Sequence, residues 1–385
     1  MIFSLPLGWL QLKAQKLRLL SAILGISFAV VLIFVQLEFR EALFVSAVRY
    51  HSTLDYGLIM VSPRTDYLIS AREFPRNRLY QVQGMPEVSA VTPVYAAIGN
   101  WRNPTDRSRS RRIFILGFDP TDIGFARLIT PEQHEQIKSP DMVIFDSKSR
   151  EEYGPIVNMM ATQGMVSTEV NAREVAVNSM YTLGTSFGLD GGIITSDLNF
   201  LRIFPKWKKS SIHYGLIHLE ADADPLQVQT AVKATIPGDV LVLTPEEFKT
   251  MEVKHWNSTT PIGYIFAFGA VMGVVVGLII VYQILFADVQ DHLKEYATLQ
   301  AMGYTPGYLR LVVLQEAVIL AVLGFIPGLI ASAFLFKVAG GATGLPLDMT
   351  FDNAWPIFVL TLAMCAGSGL LALRKLRGVD PAEVF

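Results

Sequence analysis

The chain has 385 residues, 51% of them apolar and only 17% charged, with a formal net charge of -2 at pH 7. A mean hydropathy of +0.38 is more than a soluble domain needs and less than a wholly embedded transporter carries. There is no acidic or basic tail and no aromatic-basic RNA signature, so nucleic acid is not an expected partner, and the single cysteine, Cys365, excludes an intramolecular disulfide.

Residues 1–18 read as a short helix lying in the cytoplasmic membrane interface. Trp9, Leu10, Leu12 and Leu17 alternate there with Gln11, Lys13, Gln15, Lys16 and Arg18, which places an apolar side against lipid and lysines toward headgroups. Residues 19–37 follow without a charge. At 1.5 Å per residue that run is roughly 28 Å long, close to the ~30 Å hydrocarbon core. Glu38, Phe39, Arg40 and Glu41 beyond it lack a small-x-small cleavage pattern, which favours an uncleaved anchor over a signal peptide.

Residues 38–261 form a large α+β domain in pattern. The segments 56–61 (YGLIMV), 112–118 (RIFILGF) and 212–219 (IHYGLIHL) are rich in β-branched and aromatic residues and read as strands. Helices are expected at about 74–83 and 225–235, the second capped by Asp224 with Pro225 at its first position. A strand at 240–243 precedes Thr244-Pro245-Glu246-Glu247, the cap of a further helix. The stretch 140–205, with Gly184, Gly188, Gly191 and Gly192, reads as a β-rich subdomain inserted into the mixed one.

Catalytic patterns are missing from the sequence. There is no phosphate loop, H-E-x-x-H, paired-cysteine zinc pattern or G-x-S-x-G elbow. His213 and His218 lie five apart on a candidate strand and face opposite sides, wrong for a shared metal. The basic run Arg102, Arg107, Arg109, Arg111 and Arg112 reads either as a solvated loop or as a contact for an acidic partner or lipid headgroups.

Three further apolar stretches close the chain, at 262–287, 311–336 and 354–373, followed by the tail 374–385. Lys13, Lys16 and Arg18 before the first stretch, and Arg374, Lys375 and Arg377 after the fourth, predict cytoplasmic termini and an extracytoplasmic, periplasmic domain. The fold class is therefore a membrane protein with four transmembrane helices in a 1+3 arrangement. Gly269, Gly273 and Gly277 recur every fourth residue on the second span, a smooth face for close helix packing. Glu316 stands about one turn inside the third, where a central charge costs ~2.5–3.5 kcal/mol. It reads as a structural fastener that pairs with Arg310 or the incoming loop.

Residues 288–306 read as a stiff amphipathic helix leaving the second span on the cytoplasmic side, with Gly303 as its stop and Thr305-Pro306 opening the next. Such a protrusion fits a groove on a cytoplasmic partner. Asp291, Lys294, Glu295, Tyr296, Thr298, Leu299, Met302, Gly303 and Tyr304 are its candidate ATPase-coupling residues.

Here the sequence resembles the FtsX/MacB-like permeases of ABC systems. The resemblance rests on Lys294-Glu295-Tyr296-Ala297-Thr298-Leu299-Gln300-Ala301-Met302-Gly303, on Gln315-Glu316-Ala317, and on the terminal Asp380-Pro381-Ala382-Glu383. These match an acidic residue with a bulky-small pair, then Ala-x-Gly, a later Glu-Ala and a C-terminal Asp-Pro; Ala297 departs from the glycine of many members. Within the family the chain looks most like the DevC-type membrane subunits of cyanobacterial exporters, a likeness that extends to the N-terminal Leu-Gly-Trp-Leu-Gln-Leu.

The resemblance implies a non-catalytic homodimer in the inner membrane, in contact with membrane lipids. Its partner is a separate cytoplasmic ATPase (DevA-like) that holds ATP and Mg. It further implies mechanotransmission to a periplasmic adaptor (DevB-like) and an outer-membrane TolC-like duct, with glycolipid as cargo. The alternative within the same plan is a lipoprotein-releasing or cell-division complex that is ATPase-linked without being an exporter. A ligand sensor lacks a kinase, cyclase or DNA-binding segment after the fourth stretch, and a membrane-bound enzyme lacks an acid-base or metal constellation.

Overall fold

The computed structural model describes every residue except 1–8, 10, 11, 14, 123, 187, 296, 297, 299–301, 303, 348 and 377–385. Two compact units result, one of Met1–Ala42 with Pro261–Phe385 and one of Leu43–Thr260. Among the described residues four helices are long and apolar enough to cross a membrane: Lys16–Ala47, Pro261–Asp291, Arg310–Thr343 and Phe351–Leu373. The first is α1, Lys16–Ala47. Ahead of it, Trp9, Leu12 and Lys13 of the expected interfacial segment are helical.

The Leu43–Thr260 unit opens with α2 (Arg49–Thr53), β1 (Leu58–Val61), β2 (Phe74–Pro75), α3 (Asn77–Val82), β3 (Val88–Arg102) and β4 (Ser110–Phe118). There follow α4 (Pro131–Gln136), β5 (Met142–Asp146), α5 (Ile156–Gln163), β6 (Val166–Val170), β7 (Arg173–Tyr181), β8 (Gly192–Ser196) and α6 (Asp197–Ile203). The unit ends in β9 (Ser211–Ile212), β10 (Tyr214–Leu219), α7 (Pro225–Thr235), β11 (Leu241–Leu243) and α8 (Pro245–Lys254), then a π-helical turn at His255–Thr259. Nine strands make one mixed sheet in the order β11-β1-β10-β3-β4-β8-β5-β7-β6, and β2 pairs with β9 apart from it.

The sheet folds back on itself. Strand β6 also pairs with the far end of β3, Trp101 opposite Val170 and Arg102 opposite Glu169, so that β3-β4-β8-β5-β7-β6 closes into a ring. Closure removes the open edge that β6 and β3 would otherwise present. Residues alternate between two cores across β4: Ile113 and Ile115 enter one, Phe114, Leu116 and Phe118 the other. Burial on both faces explains why this strand reads as an unbroken apolar run. Trp101 anchors the closed end, fully buried, its indole N–H donating to the Tyr153 carbonyl at 3.0 Å.

Helix α7 has the expected limits, with the Asp224 carboxylate accepting from the Leu226 N–H at 3.0 Å. Thr244 and Glu247 form a reciprocal capping box at the start of α8. The helix expected over 74–83 is shorter, because Phe74 and Pro75 pair with Ile212 and Ser211 and helix begins only at Asn77.

In the helical unit, α9 is Pro261–Asp291, α10 is Pro306–Thr343 and α11 is Phe351–Leu376. Glycines set how closely the helices approach. A Cβ on Gly273 would meet Ile33 at 3.1 Å, and one on Gly277 would meet Ala29 at 2.8 Å, while Gly269 lies against Gln36. The glycine face of α9 thus packs on α1, and Gly277 also touches Met364 of α11. A second glycine pair does the same from α10: Gly324 against Ile26 and Gly328 against Val30. The Ser27 hydroxyl donates to the Gly324 carbonyl at 2.9 Å, a polar contact that such close approach permits.

Polar contacts also mark α1 at two levels. Glu38 accepts from the Asn353 amide on α11 at 2.9 Å, and Arg18 binds the end of α9. Twenty residues separate these two positions, about 30 Å of helix and close to one hydrocarbon thickness.

Candidate functional site

The candidate coupling residues begin where α9 ends. The helical path continues past Asp291: the His292 N–H bonds to the Asp288 carbonyl at 3.2 Å, the Thr298 hydroxyl to the Lys294 carbonyl at 2.8 Å, and the Met302 N–H to the Thr298 carbonyl at 3.0 Å. Lys294, Glu295 and Thr298 are exposed, as are Met302 (64%) and Tyr304 (46%). Tyr296, Leu299 and Gly303 lie outside the described residues. Thr305 then caps α10, with Pro306 in its first turn. Two large apolar side chains held in solvent beside a charged pair make a surface suited to a protein partner.

The root of this protrusion is dry. Asp288 on α9 and Glu316 on α10 are 1% and 0% exposed, and their carboxyl groups face each other. Of the two partners expected for Glu316, Arg310 or the incoming loop, Arg310 is not the one: it is exposed, six residues before the fully buried Glu316 and on another side of α10. Arg18 on α1 supplies the cation, 2.6 Å from Asp291 and 3.8 Å from Asp288. His292 adds a ring nitrogen 3.7 Å from Asp288. The Asp288 and Glu316 oxygens and Arg18 Nη1 are buried without well-formed hydrogen bonds. Opposite charge thus brings α1 and α9 together through Arg18, and Glu316 brings α10 to the same point as a second acid facing Asp288, a contact that two ionised carboxylates would not tolerate.

That arrangement is a joint between three helices, at which a buried charge that loses its partner is costly. Sequence reading singles out Glu316 as a fastener and Asp291 as a coupling residue, uses Arg18 only as an orientation charge, and does not single out Asp288. Their signal is nonetheless there: two acids at i and i+3 on one helix edge, and an arginine at the equivalent depth of another apolar stretch.

A second buried polar pair lies inside the Leu43–Thr260 unit. His51 on α2 places Nε2 3.5 Å from a Glu252 oxygen on α8. Glu252 also accepts from the Leu68 N–H at 2.7 Å and from the Trp256 indole N–H at 2.8 Å. Burial, and then the charge of Lys249, push the His51 pKa down to about 3. Burial raises that of Glu252 to about 7, against the lowering effect of its two hydrogen bonds. Both ring nitrogens of His51 are buried without a hydrogen-bond partner, so α2 and α8 meet here by packing, the neutral His51 ring 4.4 Å from that of Phe248.

Three of the five arginines of the basic run pair with acids at the surface. Arg102 pairs with Glu169 at 2.5 Å, Arg109 with Asp106 at 3.0 Å, and Arg111 with Glu152 at 3.1 Å and Asp190 at 2.6 Å. His213 and His218 are both buried and apart in environment, His218 meeting Thr92 at 3.1 Å and His213 stacking on Trp207. Among the described residues no cluster of three or more His, Cys, Asp or Glu could hold a metal.

Residues 267–381 match the family described as FtsX-like permease C-terminal, a stretch that contains the joint's Asp288 and Glu316 and the exposed protrusion. No curated protein matches the chain. Among solved structures, the periplasmic region of MacB from Actinobacillus actinomycetemcomitans is similar at 11% identity and a TM-score of 0.36, over 54% of this chain and 96% of that one. The extracellular domain of the noncanonic ABC-type transporter YknZ from Gram-positive bacteria is similar at 12% identity and a TM-score of 0.33, over 49% of this chain and 99% of that one.

Proposed function

We propose that this chain is the membrane subunit of an ATP-driven complex, in which a separate cytoplasmic ATPase binds the protrusion after α9 and moves it. The carrying observation is the pairing of an exposed tip, Lys294, Glu295, Met302 and Tyr304, with a root of buried charge shared by three helices. A tip of that kind receives force and a root of that kind distributes it. The FtsX-like match over residues 267–381 supports the reading.

In finer detail we propose a DevC-type exporter subunit that works as a homodimer by mechanotransmission. ATP and Mg sit on the ATPase, and the external domain passes movement to an adaptor and an outer-membrane duct for a lipidic cargo. Both termini and the 288–306 segment are cytoplasmic, and the Leu43–Thr260 unit is periplasmic.

Affinity purification of the tagged full chain from its native membranes, with ATP and vanadate present, tests the proposal. An ATPase subunit in stoichiometric amount is the expected result. Its absence, with ATP hydrolysis by the chain alone, contradicts it. Thiol labelling checks the orientation: Ser108→Cys should react with an impermeant reagent from outside spheroplasts and Gln290→Cys should not.

A further inference from the structure

A groove of about 710 Å³ lies in the Leu43–Thr260 unit between the 62–75 loop and the segment leading into β10. Its construction is specific. The buried Thr65 hydroxyl accepts the Arg72 N–H at 3.0 Å, which folds the loop so that Arg64 and Arg72 line the same opening. The β2–β9 pairing and the Arg76 N–H bond to the Ser210 carbonyl, 2.8 Å, bring the opposite wall, with Trp207 and His213, against it. Trp207 is fixed by rings, 5.2 Å from Phe204 and 4.4 Å from His213, both stacked.

The lining is suited to an anion. Arg64 and Arg72 are exposed, and among the described residues neither has an ion-pair partner. Of the two acids that line the groove, Asp239 is taken by Arg78 at 3.0 Å, which leaves Glu73 alone against the two arginines. Exposed Lys206, Lys208 and Lys209 flank Trp207 in sequence and add positive charge to that wall. His213 is 2% exposed, yet its Nδ1 has no hydrogen-bond partner. Burial lowers its pKa to about 4, so it lines the groove as a neutral ring. Pro63, Pro75 and Trp207 supply apolar wall. Convergent polar groups in a partly apolar groove beside a perturbed titratable residue are the physical signature of a ligand site.

We infer that this groove binds an amphiphilic anion, with a phosphate or carboxylate group held by Arg64 and Arg72 and an apolar portion lying along Trp207. Guanidinium groups pair with such oxyanions in bidentate fashion, which favours them over a zwitterionic or cationic head.

Calorimetric titration of the full chain, in nanodiscs of phosphatidylcholine alone, tests this with three soluble probes: dihexanoyl phosphatidic acid, dihexanoyl phosphatidylcholine and inorganic phosphate. The phosphatidic acid should bind, and Arg64→Gln/Arg72→Gln should weaken it about tenfold or more. Arg64→Lys/Arg72→Lys should retain more of it, and Arg107→Gln should leave it unchanged. Tighter binding of phosphatidic acid than of inorganic phosphate, lost on Trp207→Leu, identifies a lipid-like source. Equal binding of the two, indifferent to Trp207→Leu, identifies free phosphate and overturns the amphiphile. Failure of both anions to bind, or equal binding of phosphatidic acid to wild type and to a folded Arg64→Gln/Arg72→Gln chain, overturns the site. No ATPase enters the measurement, so its outcome is separate from that of the coupling proposal.

Discussion

The two units of this chain treat charge in opposite ways. In the Leu43–Thr260 unit several arginines find acids at the surface, as in Arg102–Glu169, Arg173–Asp141 and Arg111–Asp190, while much of the interior is aromatic and closed by the strand ring. In the helical unit charges are few, but Asp288 and Glu316 lie at 1% and 0% exposure with Arg18 beside them. Surface pairs are worth about 0–1 kcal/mol each, whereas removing one partner of a buried set costs about 3–5 kcal/mol. The sparse unit is therefore the one in which a single charge carries structural weight.

The contrast breaks most sharply at Arg18. Arg18→Gln should lower stability by about 3–5 kcal/mol, read as a thermal shift of the full chain in detergent, while Arg102→Gln should cost no more than about 1 kcal/mol. Equal shifts would remove the distinction between the units.

Next in size is Glu252, an acid of the Leu43–Thr260 unit that is only 2% exposed. Its folded pKa of about 7 is above the ordinary 4.5, so the fold holds its proton more tightly than the unfolded chain does. The cost of ionising it is absent below 4.5 and complete above about 7. Glu252→Gln should accordingly stabilise the chain at pH 8 by on the order of 2–3 kcal/mol and hardly at all at pH 4.5. His51 titrates in the opposite sense, its stabilising effect fading as pH falls from 6.5 toward 3, but it does so in both proteins and drops out of the difference. A difference that does not change with pH would contradict the assigned protonation.

Smaller still is the packing of α1. Gly328→Leu drives a side chain into Val30, whose atoms would stand only 2.8 Å from the new Cβ, and should cost about 1–3 kcal/mol and much of the monodisperse yield. Gly341→Leu, which meets nothing within 4 Å, should be neutral. Equal yields would mean that glycine contacts do not set the bundle's geometry.

Much of the helical unit is legible in the sequence, because four long apolar runs with Gly269, Gly273 and Gly277 follow from composition and spacing alone. The pair Gly324 and Gly328 has the same spacing but lies beside Pro327, which draws attention to a kink rather than to a face. The Leu43–Thr260 unit is only half legible. Strands β1, β4 and β10 announce themselves by β-branched residues, and the caps Asp224 and Thr244 by local chemistry. Strand β3 does not: Pro93, Ala96, Ala97 and Gly99 are poor strand formers, and the fifteen residues of Val88–Arg102 are extended because β10, β4 and β6 all pair with them. Ring closure at Trp101 and Val170 depends on residues far apart in sequence and leaves no local trace. The joint shows the same limit, since Arg18, Asp288 and Glu316 meet only when three helices pack.

The central claim is that the exposed protrusion after α9 is driven by another subunit's ATP hydrolysis. The direct test is the hydrolysis rate of the co-purified ATPase in proteoliposomes with wild-type chain, Glu295→Lys or Met302→Asp. Both substitutions are at exposed sites and should alter stability by no more than about 0.5 kcal/mol. Stimulation by wild type, and its loss in folded variants, is the predicted result. Undiminished stimulation by both variants would contradict the account.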